Sequence, residues 1–157
     1  MNKRHFFFAL IAAVFVTGTH SSYADEDVYR ACTNLVYGYA YHRDQFNADE
    51  FANLFTEDAS LTVVGQTWVG RADIRQRIEG LKTGSSIRHE MGTIRIVPVD
   101  DDHATGVSYA TIYSAPAGES SVSSFALMGE YHDEFVRTAE GWRISKRVLV
   151  QKYTSQR

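Results

Sequence analysis

The stretch SSIRHEMGTIRI, residues 85–96, holds two half-patterns on different faces. Side chains alternate across a β-strand, so Ile87, His89 and Met91 share one face, and Arg88 and Glu90 share the other. Further on the apolar character passes to Ile94 and Ile96, which have the opposite parity. Gly92 lies at the switch. A bulge or sharp bend there reconciles the halves and curves the sheet. His89 then faces the interior with Ile87 and Met91.

Three more period-two stretches follow this one, so long strands are predicted over about 86–98, 104–114, 122–137 and 141–152. The connections DDDH, APAGESS and TAEG are turn chemistry. Four consecutive strands predict an antiparallel meander. The preceding half reads differently. In DVYRACTNLVYGYAYHRD (27–44), Val28, Cys32, Leu35 and Tyr39 recur at helical spacing. NADEFANLF predicts a short helix with Asn47 as N-cap and Glu50 completing a capping box. A strand SLTVV, a turn at Gly65, TWV and a third helix RADIRQRIEGLK follow. Helices before strands predict an α+β fold, a curved antiparallel sheet wrapped around N-terminal helices and enclosing a pocket.

The chain has 157 residues, which suits one domain, with a formal charge of −3. MNKRH, the apolar FFFALIAAVFVTG and the small residues Ser22 and Ala24 predict a signal peptide over 1–24, cut after Ala24, with the domain over 25–157. The apolar run is roughly 13 residues, short of the ~20 that cross a bilayer. Loss of Lys3 and Arg4 takes the charge to about −5. A secreted, periplasmic protein is expected, with no membrane association after cleavage. No basic patch with interleaved aromatics points to nucleic acid. Cys32 is the single cysteine, so no internal disulfide can form, and it reads as a small buried hydrophobe.

The third long strand places Phe125, Leu127, Gly129, Tyr131, Asp133 and Phe135 on one face. Glu130, His132 and Glu134 make the other face wet. Asp133 therefore stands in the core. Either an arginine or backbone group satisfies it, or it is a functional carboxyl group with a raised pKa. His89 is open in the same way, a satisfied core residue or part of a site. On the first helix Tyr37 and Tyr41 share a face beside Asn34. They are packing residues or hydroxyl donors. His42 projects into the pocket or meets the helix C-terminus. Trp68 and Trp142 read as core, His103 as exposed. No HExxH or CxxC spacing points to a metal, and none is expected.

The order of elements, with FANLFTEDASL, GRADIR and EGWRISKR, resembles the SnoaL-like proteins of the nuclear transport factor 2 superfamily over about 28–152. The resemblance implies a cone-shaped α+β barrel with a deep pocket, and leaves the activity open. Scytalone dehydratases have a tyrosine-aspartate pair ending the first helix and a histidine opening the first long strand. Tyr41 and His89 match two of these, and His42 stands for the aspartate. Ser114, Val63 and Phe135 replace a histidine, a tyrosine and an asparagine of that family. Ketosteroid isomerases use a tyrosine and a protonated aspartic acid as an oxyanion hole. Those positions resemble Tyr37 and Asp133, while the isomerase's base falls on Val63.

The expected function is a lyase, dehydratase-like, or an isomerase, working by acid/base chemistry without a cofactor on a small hydrophobic ring compound. His89, Asp133, Tyr41 and Tyr37 are the catalytic candidates. His42, Tyr131, Phe135, Met91, Val63 and Trp68 are the substrate-binding ones. The alternative is a non-catalytic periplasmic binding protein for a hydrophobic molecule. An interaction module ranks behind both, because Arg143, Ser145 and Arg147, read as the outer face of the last strand, make no apolar patch. A homodimer is implied by resemblance alone.

Overall fold

A computed structural model describes residues 20–82, 85–122 and 124–155, with side chains from Asp27 onward. The predicted leader therefore lies largely outside the described residues, and the expected cut after Ala24 falls within the first helix. Helix α1 runs His20–Asp44, α2 Ala48–Ala52 and α3 Arg71–Gly80. The strands are β1 Phe55–Val63, β2 Gln66–Val69, β3 Ser85–Pro98, β4 His103–Pro116, β5 Leu127–Thr138 and β6 Gly141–Thr154. No described helix is long and apolar enough to cross a membrane.

The six strands form one curved, unclosed sheet in the order β2-β1-β6-β5-β4-β3. The predicted meander is its long antiparallel part, β3 to β6. β1 joins it in parallel with β6, a pairing that local sequence does not signal. β5 begins at Leu127 rather than near 122. Its ladder with β4 ends at Leu127 opposite Ile112, and Tyr113–Pro116 of β4 pair only with β3.

Bulges supply the curvature. The register of β3 on β4 shifts between Met91 and Ile94, where the apolar face changes sides. β5 and β6 slip twice, between Met128 and Gly129 and between Glu134 and Phe135. An extra residue in one strand increases local twist and bends the sheet. At the second slip Glu134 faces Lys146 while Phe135 faces Ile144, so Ser145 is the extra residue. The buried face of β6 passes there from Trp142 and Ile144 to Arg147 and Leu149. Arg147 thus points inward, correcting the outer-face reading.

α1 lies across the concave side, packed on β3 and β6. Its buried stripe is Val28, Cys32, Leu35, Val36, Tyr39, Ala40 and Arg43. Tyr37 and Tyr41 fall on the opposite side, 50% and 61% exposed. Two residues turn a helix by about 200°, so Tyr39 and Tyr37 cannot face the same way. α2 starts after Asn47, but the Asn47 side chain makes no capping bond, so the expected capping box does not form. α3 buries Ile74 and Ile78. Arg71 Nε and Nη2 donate to the Phe55 carbonyl at 3.0 and 2.6 Å, tying the start of α3 to β1.

Candidate active site

The last residue of α1 makes the central contact. Asp44 Oδ1 lies 2.6 Å from His89 Nδ1, and Oδ2 accepts the His89 backbone N–H at 2.8 Å. One carboxylate therefore holds both the ring and the main chain of His89. The chain leaves α1 through Phe46, whose φ is 55°, and this reversal keeps Asp44 against β3. Both side chains are nearly sealed, His89 3% and Asp44 8% exposed. A carboxylate offers only acceptors, so Nδ1 carries a proton and a neutral ring has its lone pair on Nε2. Among the described residues no hydrogen-bond partner is found for Nε2.

Two tyrosines flank the ring. The Tyr39 centroid is 6.0 Å from the imidazole, nearly perpendicular, and the Tyr131 centroid is 6.5 Å away. The two tyrosine rings are 5.1 Å apart. The Arg147 guanidinium lies over both, 4.2 Å from Tyr39 and 4.7 Å from Tyr131. Its Nε and Nη2 each donate to Asp133 at 2.7 Å, while Nη1 is buried without a partner among the described residues. Burial works against the charge on Arg147, but Asp133, helped by Tyr39 and Tyr131, offsets it and the guanidinium rises above its usual range. Burial first, then Tyr39, pushes the Tyr131 hydroxyl well above the phenol range, so it stays protonated and can donate.

Several sequence expectations change here. Asp133 is the arginine-satisfied aspartate of the two open readings. With both oxygens accepting from Arg147, it is not the proton-bearing acid that the isomerase resemblance implies. Tyr37 and Tyr41 point away from the site, and Tyr39 takes the inward position. The aspartate orienting the histidine is Asp44, two residues beyond His42, with Arg43 before it in place of a tyrosine. His42 packs edge-on against Tyr41, centroids 5.2 Å apart, rather than on His89.

Tyr131 is at the site as expected. Phe135 is fully buried core, and Met91, Val63 and Trp68 are partly buried against that core. Trp68 lies beneath Arg77, 4.6 Å from its guanidinium. Two hollows lie apart from the dyad, on the other face of the sheet. One, of about 510 Å³, is bordered by Tyr109, Thr111, Met128 and Lys152. His103 and His132 are exposed and paired with Asp100 and Glu130. Among the described residues no three His, Cys, Asp or Glu side chains converge as metal ligands.

The geometry defines a buried carboxylate–imidazole dyad on a cone-shaped α+β frame. The SnoaL-like domain model matches residues 26–148. The chain belongs to the SnoaL-like family, with the nuclear transport factor 2 type of fold. No curated protein matches it. Among solved structures it is similar to a candidate scytalone dehydratase from Novosphingobium aromaticivorans DSM 12444, at 24% identity and TM-score 0.76, covering 85% of this chain and 90% of that one. It is also similar to a hexachlorocyclohexane dehydrochlorinase, LinA type 2, at 18% identity and TM-score 0.75, covering 85% and 90%. A third is a variant of Rv3472, a protein of unknown function from Mycobacterium tuberculosis, at 25% identity and TM-score 0.71, covering 79% and 76%. These likenesses concern the fold.

Proposed function

We propose that this protein is a lyase or isomerase that removes a proton from a small ring compound, with His89 as the base. The carrying observation is the double hold of Asp44 on His89. It sets the tautomer and aim of the ring, leaving Nε2 as acceptor of the substrate's proton. In the eliminating version the substrate C–H bond breaks and its proton goes to Nε2. The electron pair becomes the new C=C bond, and the neighbouring C–O or C–halogen bond breaks, with its pair leaving on oxygen or halide. In the isomerising version the pair moves onto a carbonyl oxygen, and His89 returns the proton elsewhere. Tyr131 O–H and Arg147 Nη1, which has no partner among the described residues, donate to the developing negative charge. With the dyad almost sealed, these interactions act out of reach of bulk water. Two structural neighbours named for eliminations, a dehydratase and a dehydrochlorinase, support the same chemistry.

The test is incubation with cyclic hydroxyketones and halogenated cyclohexanes, read by mass spectrometry for loss of water or hydrogen halide, or for deuterium uptake in heavy water. Turnover should fall roughly 10²–10⁴-fold in both His89→Ala and Asp44→Asn, the range for a positioned general base. Asparagine presents either an N–H or a neutral acceptor to Nδ1, so it no longer secures the tautomer. Ligands bound and recovered unchanged by the wild-type protein would replace this reading with the carrier one.

A further inference from the structure

Counted in twos from the buried Trp142 and Ile144, Lys146 and Val148 belong on the inner face of β6 and Arg147 on the outer one. The extra Ser145 reverses the face, and Arg147 goes in with a fully buried side chain. Bulges re-aim side chains in this way, and they are over-represented next to active sites. What the guanidinium reaches is the ring pair beside the dyad. It lies 4.2 Å from the Tyr39 centroid and 4.7 Å from that of Tyr131. Those rings stand 6.0 and 6.5 Å from the His89 imidazole.

Asp133 fixes the plane of that guanidinium. β5 and β6 bring the two residues into register, and Asp133 Oδ1 and Oδ2 accept from Arg147 Nε and Nη2 at 2.7 Å each. Two parallel bonds set both the position and the tilt of a planar group, which one bond does not. Stability does not account for the pair, because a well-packed apolar pair of similar volume is often as stable or more so. The separate consequence is where the positive charge lies, over the faces of two phenol rings. There it draws electron density from the rings and strengthens the Tyr131 O–H as a donor. Burial first, then Tyr39, holds the Tyr131 hydroxyl high, and Arg147 leads the groups that pull it back.

We infer that Asp133 is a positioning residue of the reaction, acting through Arg147, which it holds against Tyr39 and Tyr131, and touching no substrate itself. This rests on the acid/base reading of the same site. It gives the aspartate a role other than that of a proton-bearing acid, and it gives the Ser145 bulge a purpose beyond curvature. In that arrangement His89 moves the proton, Tyr131 meets the developing charge, and Asp133 sets how well Tyr131 does so.

The test is steady-state kinetics of Asp133→Asn on a cyclic hydroxyketone or halogenated cyclohexane that the wild-type protein turns over. Asparagine keeps the shape but gives up the charge and one of the two acceptors. kcat should fall about tenfold or more, towards the 10²–10³ seen when such a donor is removed outright. KM should stay within about threefold, because the residue acts on the chemical step and not on uptake. The His89 Nδ1 proton signal should persist in NMR spectra of the variant, with the dyad intact. Wild-type kcat in folded Asp133→Asn, a rise in KM alone, or loss of the His89 signal together with the rate would each overturn the inference. Where Asp133→Asn does not fold, the apolar pair Asp133→Leu with Arg147→Met decides. It should fold and lose at least as much kcat. Wild-type kcat in it, or failure of this variant to fold as well, would assign the pair to stability alone. The two proposals separate cleanly. A wild-type protein without turnover ends the acid/base reading and this inference with it, whereas turnover that needs His89 and Asp44 but is indifferent to Asp133 ends only the inference.

Discussion

At the scale of the residue, Arg147 and Asp133 have the largest consequences for stability. Both side chains are fully buried and joined by two bonds of 2.7 Å. Removing one partner strands the other's charge in the interior, which costs about 3–5 kcal/mol. Arg147→Met should therefore lower stability by that amount in urea unfolding. Adding Asp133→Leu should recover much of the loss, because an apolar pair replaces an orphaned charge. A double variant no more stable than Arg147→Met would show that the pair is not the source of the effect. Asp133 was legible as an anomaly from parity alone, three wet even positions making its own face the core. Its partner was not, because Ser145 inserts into β6 and reverses the face. Parity counted along a bulged strand sends Arg147 outward. Asp44 was open to reading as well. It closes the predicted helix, but the tyrosine at 41 drew the tyrosine-aspartate match two positions too early.

At the scale of the element, the existence and order of helices and strands follow from hydrophobic period. So does the bend near Gly92, because the two halves of β3 disagree. The inward face of α1 is also in the period. Tyr39 falls in line with Val28, Cys32 and Leu35, and the same line excludes Tyr37 and Tyr41. The second bulge pair has a glycine whose need is steric. A Cβ on Gly129 would lie 2.7 Å from the Val150 carbonyl oxygen, closer than backbone tolerates. On Gly92 it would meet Tyr109 at an ordinary 3.6 Å. Gly129→Ala should cost about 1–3 kcal/mol, the range for overpacking, and Gly92→Ala far less. Thermal melts of the two variants side by side check this, and equal losses would contradict the contact.

At the scale of the whole molecule, the core is closed over α1. Cys32 is fully buried, and burial, with Asp133 next in effect, pushes its thiol up to about 12. Because the thiolate is the reacting form, the native protein at pH 8 should take up no thiol reagent such as dithionitrobenzoate. One equivalent should react in guanidinium chloride. Labelling of the native chain at the unfolded rate would mean that α1 is not docked as described. Fold class and strand order were readable at this scale except for β1, whose partner is the strand farthest from it in the chain.

That partnership governs how the molecule comes into being. β1 has β2 beside it at once, but its other edge waits for β6. Until then β1 and β5 both present unpaired backbone, a template for the wrong partner. The contacts that complete the sheet span most of the chain, so loop-closure entropy is lost before they repay it, and such topologies fold slowly. The dyad joins α1 to β3, whereas the Arg147 ion pair beside it joins β6 to β5. β6 is thus the strand that completes both the sheet and, through Arg147, the surroundings of the dyad.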